Sequence, residues 1–256
     1  MPSAMNNDVR IHYMVEGEGP PFVLLHPFIG SLEDFYELGF VNEFKDAYRL
    51  VLVDSRGHGG SDKPHHPDAY LMEHRVNDIV AVLDDLKIEK AHFYGYSMGG
   101  RIGFSITKYA PDRFHSLIIG GAQHYRTEKE AEPHPWIPFL RQGIEISIDK
   151  YVESRGDRIS PERIARLLNN DPEAIIAILS LDETLNPEPD LPAANIPCLV
   201  YAGDAAGEHE AAKRSASLMP NAAFISLPGL DHYDGLRRTD LVIPIVKDFL
   251  SEQLST

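Results

Sequence analysis

The run AHFYGYSMGGRIGFSITKY, Ala91 to Tyr109, decides the fold. Its opening, Ala91 to Gly95, reads as a strand covered on both faces. Gly95, Tyr96, Ser97, Met98 and Gly99 then spell G-x-S-x-G, and Met98 to Tyr109 reads as a helix closed by Pro111. A G-x-S-x-G alone is weak evidence. Set between a strand and a helix, it describes a strained turn with an outward serine hydroxyl, and the flanking glycines leave room for strand and helix to pass closely. The plainer reading, a serine that only caps a helix, is disfavoured by that placement.

Working outward, strand and helix alternate. Arg10 to Glu16 and Pro21 to Leu25 are β-rich runs split by Gly17, Glu18, Gly19 and Pro20, which predicts two adjacent strands joined by a tight turn. Tyr48 to Asp54 is another buried-type strand. Leu71 to Leu86 places Val76, Ile79, Val80, Leu83 and Leu86 on one helical stripe. After the central run come a strand at Phe114 to Gly120, a strand at Cys198 to Gly203, a helix at Glu208 to Leu218, a strand at Ala223 to Leu227 and a helix at Leu241 to Leu254. Such alternation requires crossover connections, so an α/β fold is predicted, with a mainly parallel sheet flanked by helices.

Between Ala122 and Pro197 the alternation stops. The stretches Ile137 to Gly143, Ile144 to Ser154, Pro161 to Asn169 and Pro172 to Leu181 are all helix-like. Residues 1–121 and 198–256 therefore read as two parts of one core, and 122–197 as an inserted helical cap. The cap's apolar cluster around Trp136 is assigned to packing rather than to a pocket, because most large apolar clusters are core.

A chain of 256 residues suits one large domain. With 43% apolar and 25% charged residues it is neither disordered nor collagen-like. Lys plus Arg number 24 against 39 Asp plus Glu, a formal net charge of −15. A surface this acidic repels phosphate backbones and anionic lipids, so neither nucleic acid nor membrane is an expected partner, and a neutral small-molecule substrate fits better than an anionic one. The single cysteine, Cys198, excludes an internal disulfide and a Cys-based zinc site, and the polar start Met1 to Asp8 lacks the apolar core of a signal peptide. No run approaches ~18 apolar residues. A soluble, cytoplasmic protein is expected. His65 and His66 read as a solvated pair and His58 as structural, and no metal or cofactor is expected.

Three further motifs join the Ser97 turn. His26, Pro27, Phe28, Ile29, Gly30 and Ser31 follow an early strand, Asp54 to Asp62 reads DSRGHGGSD, and Pro228 to His232 reads PGLDH. With these the chain resembles the α/β-hydrolase fold family over nearly its whole length. Proline stands in the first loop where that family usually has glycine. The resemblance implies nucleophilic catalysis, in which Ser97 attacks a carbonyl, His232 takes its proton, and water then hydrolyses the acyl-enzyme. It also implies an oxyanion hole of two backbone donors, one from Met98 and one from the early loop. Pro27 has no N–H, so the second donor falls to Phe28. The Phe28 ring is read either as lining the acyl pocket or as packing on the insert.

The third triad member in that family follows the strand at Leu199 to Gly203, where this chain has Ala206. Nor does an acid follow the strand at Phe114 to Gly120. Three readings stand: Asp204 supplies the carboxylate from a shifted loop, nothing orients His232, or Glu208 reaches in. They are placed in that order, and Asp231, next to His232, falls behind them all. The function expected is a serine-dependent hydrolase of a small or medium carboxylic ester or related acyl substrate. Thioesterase, lactonase, C–C hydrolase and cofactor-free peroxidase chemistry share the same Ser, His and fold. Dehalogenase and epoxide hydrolase branches are disfavoured, because they require aspartate where Ser97 stands. The alternative from another class is a ligand-binding or receptor-like relative with weak turnover, motivated by Ala206. Oligomeric state is not legible.

Overall fold

The computed structural model describes residues 2–125, 134–182 and 188–253. Ser3–Asn6 (β1), Val9–Glu16 (β2), Pro21–Leu25 (β3), Arg49–Val53 (β4), Ala91–Tyr96 (β5), Phe114–Gly120 (β6), Cys198–Gly203 (β7) and Ala222–Leu227 (β8) form an eight-stranded sheet. Its order is β1-β2-β4-β3-β5-β6-β7-β8. The pairs β1–β2 and β2–β4 are antiparallel, and the pairs from β4 through β8 are parallel. The α/β fold with a mainly parallel sheet is thus present.

One expectation fails. The strands β2 and β3 are not neighbours, because β4 lies between them, pairing Val53 with Tyr13 of β2 and Val51 with Val23 of β3. All of Phe22 to Leu25 is buried, and β3 takes parallel partners on both edges. The glycines of the connection serve close approach rather than a hairpin. Gly17 and Gly19 have φ of +76° and +121°, and a Cβ on Gly19 would stand 2.7 Å from the Ala47 carbonyl oxygen. The edge strand β1 escapes sequence reading because it is four residues long and half polar.

The helices divide between the sheet's faces by the strand period of two. Glu33–Glu37 (α1) and Phe40–Phe44 (α2) lie on the face bearing Phe22 and Leu24. Met72–Asp85 (α3) and Met98–Tyr109 (α4) lie on the face of Val23 and Leu25. Between β6 and β7 the chain forms Ile137–Leu140 (α5), Ile144–Arg155 (α6), Pro161–Leu168 (α7) and Pro172–Leu179 (α8). After β7 come His209–Leu218 (α9), Asp234–Arg237 (α10) and Thr239–Gln253 (α11). The helix α9 joins α3 and α4, and α11 joins α2. Leu254, read as the end of the last helix, lies outside the described residues, as do positions 126–133 and 183–187 of the insert. Among the described residues no helix is long and apolar enough to cross a membrane.

The inserted helices have a core of their own. Leu140, Ile148, Leu167 and Ile175 pack with Ile29 of the early loop, and Phe28 and Trp136 border that cluster. Side-chain caps start two of the helices: Ser160 accepts from the Arg163 N–H, and Asp171 from the N–H groups of Glu173 and Ala174. His65 donates or accepts at 3.0 Å from Asp171, tying the core to α8.

The DSRGHGGSD turn is a structural knot. Asp54 accepts from the N–H groups of Leu32 and Gly60, each at 2.8 Å, and contacts His12 Nδ1 at 2.8 Å. Burial pushes the Asp54 carboxyl up, but the His12 hydrogen bond, the nearby His26 and the two N–H donors outweigh it, so it sits below the usual carboxylate range. A carboxylate depressed in the folded state contributes stability above its unfolded value, 3.8, and loses it as pH falls through the lower folded value. Asp54→Asn turns an amide N–H₂ toward donors and is expected to cost about 2–3 kcal/mol at pH 7. Urea denaturation should show that deficit shrinking below about pH 4. A deficit constant from pH 7 to pH 3 would contradict the assignment.

Candidate active site

Ser97 occupies the turn between β5 and α4 with φ +54° and ψ −110°, a conformation that side-chain-bearing residues avoid. Its neighbours hold it there. A Cβ on Gly95 would run into the Gly99 backbone, one on Gly99 into the Leu25 carbonyl, and one on Gly100 would stand 2.8 Å from the Ala122 Cβ. The Ser97 N–H donates to Gly120 O at 2.8 Å. The hydroxyl is left facing a cavity, 3.0 Å from His232 Nε2.

His232 lies in the loop after β8, and two groups orient it. Glu208 Oε1 stands 2.5 Å from His232 Nδ1. The Tyr96 hydroxyl donates to the His232 carbonyl oxygen at 2.6 Å, and the two rings lie 5.4 Å apart. Burial, with the Glu208 charge adding to it, pushes the Tyr96 phenol well up, so it remains a donor. Tyr96 has no sequence signal beyond its place inside G-x-S-x-G, since its partner is 136 positions away.

The carboxylate order expected from sequence is corrected. Asp204, placed first, does not reach the imidazole: its Oδ1 accepts from the Gly229 N–H at 2.7 Å, and its own N–H is committed to Leu227 O. The loop then tightens. Ala205 N–H donates to Leu230 O and Ala206 N–H to Gly203 O, so the chain advances little before Glu208, whose longer side chain spans the remainder. Asp231 is also excluded, because its carboxylate pairs with Arg158 and accepts from the Asp234 N–H.

The early loop carries strain of its own. Gly30 N–H donates to Pro27 O at 3.0 Å, and Ile29, a β-branched residue, sits at φ +55°. The insert supplies the compensating contacts, since Asn170 Nδ2 donates to Ile29 O at 3.0 Å and Ile29 is buried among the insert's apolar residues. The Phe28 N–H makes no hydrogen bond among the described residues. Met98 is the first residue of α4, a position whose N–H has no intrahelical partner. Its ring neighbours give Phe28 both of the roles left open: it stands 6.4 Å from Trp136 and lines the cavities. Trp136 likewise does both. Beneath Phe28, His58 is fully buried, and burial pushes its imidazole well below the ordinary value, so it stays neutral.

Two cavities, of about 340 and 490 Å³, share Ser97, His232, Phe28, His134 and Arg155. The smaller is walled by Trp136, Tyr151, Tyr233 and Leu236, and the larger by Met98, Gln123, Ile178 and Glu208. A molecule with its reacting carbon at Ser97 has room on either side of it.

Comparison with known proteins agrees with the fold. The family model described as alpha/beta hydrolase fold matches residues 20–156. The enol-lactonase from Burkholderia xenovorans LB400 superposes with a TM-score of 0.82 at 24% identity, over 98% of this chain and 100% of that one. Est816, described as an N-acyl homoserine lactone degrading enzyme, superposes with a TM-score of 0.79 at 27% identity, over 97% of this chain and 100% of that one. Epoxide hydrolase 4 of Mus musculus is 34% identical over 125 residues, 46% of this chain and 33% of that one. Across the first curated relatives the match spans only 33–40% of their length.

Proposed function

The chain belongs to the alpha/beta hydrolase fold family, whose model covers more than half of it, and from that premise we propose that it is a serine-dependent hydrolase of small carboxylic esters or lactones. The observation that carries this reading is the relay from Ser97 Oγ to His232 Nε2 and from His232 Nδ1 to Glu208, entered from a cavity. Ser97 Oγ adds to the substrate carbonyl as its proton passes to Nε2. The oxyanion so formed faces the N–H groups of Met98 and Phe28. The C–O bond to the leaving group breaks, and the imidazolium returns its proton to the departing oxygen. Water, deprotonated by the same nitrogen, then adds to the acyl-enzyme and releases the acid and Ser97.

Glu208 removes the motive for a binding-only protein, which was the lack of an acid at Ala206. Likeness to an epoxide hydrolase does not carry that activity over, because Ser97 occupies the place where that branch needs aspartate. Lactones enter the proposed class because two similar structures are described as a lactonase and a lactone-degrading enzyme.

Incubation with a fluorophosphonate should add one phosphonyl group, read by intact mass within minutes, and none to Ser97→Ala. A panel of p-nitrophenyl esters, thioesters and lactones should then show turnover by the wild type. No labelling over hours and no turnover on any of the panel would refute a serine hydrolase.

A further inference from the structure

The formal net charge of −15 suggests a neutral substrate, yet the smaller cavity is lined by Arg155, Arg163 and Arg237 and by no carboxylate among the described residues. Two of these arginines are already engaged. Arg163 pairs with Asp34, and Arg237 Nη2 with Glu37 Oε1 at 3.0 Å, while Arg166 also draws on both acids. Three guanidiniums there share two carboxylates, leaving the local charge positive.

Arg155 differs. It ends α6, lines both cavities at Ser97, and makes no ion pair among the described residues. Its guanidinium lies 5.4 Å from the Tyr151 ring centre and 5.5 Å from that of Tyr233, and its Nε is buried without a hydrogen-bond partner. The rings fix the fork in place but neutralise none of its donors. A guanidinium held among aromatic walls with no counter-charge among the described residues is costly, and a planar two-oxygen anion satisfies it with two parallel hydrogen bonds.

We infer that Arg155 is a specificity residue that binds a second carboxylate on the substrate, so that the preferred substrate is the half-ester or carboxylated lactone of a small dicarboxylic acid. This rests on the serine-hydrolase reading for its chemistry but not for its anion site. The carboxylate belongs in the smaller cavity, because Tyr151 and Tyr233, the rings beside the Arg155 guanidinium, line that cavity, which has no acid among its described lining, whereas the larger one sets Glu208 beside Arg75 and Arg101. A volume of about 340 Å³ is near the lower end for ligand pockets, which keeps the link between carbonyl and carboxylate short. Field lines from clustered cations in a low-dielectric cleft attract an anion locally even on an acidic protein.

The test compares mono-p-nitrophenyl glutarate with p-nitrophenyl valerate, which replaces the carboxylate end by an uncharged one. Wild type should favour the glutarate ester by roughly 10–100-fold in kcat/KM, the range expected of a desolvated charge-assisted pair. Arg155→Met, which keeps the stem on Tyr151 and Tyr233, should bring the ratio to within a few-fold of one. Arg155→Lys should keep part of the preference. A wild-type ratio near one, or a ratio unchanged in Arg155→Met, overturns the inference while leaving the hydrolase intact. Glutarate binding, measured by calorimetry on Ser97→Ala with and without Arg155→Met, separates the two ideas. If neither ester turns over but binding vanishes with Arg155, the hydrolase reading falls and the anion site stands; binding indifferent to Arg155 removes the site.

Discussion

Replacing Ser97 with alanine is expected to lower kcat on a p-nitrophenyl ester by about 10⁶, and His232→Ala by a similar factor. The two groups are 3.0 Å apart and act on one proton, so the double variant should be hardly slower than either single one. Independent contributions would instead multiply. The remaining rate, roughly 10³ over water, would come from binding and from the donors at Met98 and Phe28. Stability should move the other way. A side chain at φ +54° and ψ −110° costs on the order of 1–3 kcal/mol, which glycine escapes. Ser97→Gly should therefore be inactive yet melt a few degrees higher than wild type. A Ser97→Ala protein retaining a tenth of the activity would show that this hydroxyl is not the nucleophile.

The core of the fold was legible because its signals are local. The strands β5, β6 and β7 are largely apolar runs with a glycine at or next to their last residue, and α4 follows a glycine-flanked serine; each reads within ten or so residues. Strand order was not, because β4 enters between β2 and β3 from about 30 residues downstream and is placed by pairing on both its edges. The site divides similarly. Ser97 and His232 each stand in a recognisable turn, and the structure brings them together. Tyr96 and Asn170 bond to groups 136 and 141 positions away, and Arg155 lines a cavity with Ser97 from 58 positions away, placements that no short window contains. Glu208 was visible but underrated. Its reach depends on how tightly residues 204–207 coil against the Leu230 carbonyl, a tertiary contact with no periodicity behind it.

That contact sets the sharpest contrast between neighbouring acids. Glu208→Ala is expected to lower kcat by about 10⁴, the usual loss when a triad imidazole is left without its orienting carboxylate, equivalent to about 5.5 kcal/mol at 1.36 kcal/mol per decade. Glu208→Gln keeps the size but withdraws the charge that stabilises the imidazolium, so it should recover little. Glu208→Asp, one methylene short of the 2.5 Å contact, should fall between wild type and alanine. Asp204→Ala should behave differently. It removes the acceptor for the Gly229 N–H, where φ is +72°, three residues before His232. That loosens the loop at a cost of about 1 kcal/mol and lowers kcat by less than tenfold. Steady-state kinetics and thermal melts on the four variants separate an acid that orients the imidazole from one that shapes its loop. Equal losses of kcat in Glu208→Ala and Asp204→Ala would mean that the catalytic histidine is held by the loop's fold, and not by a carboxylate at its Nδ1.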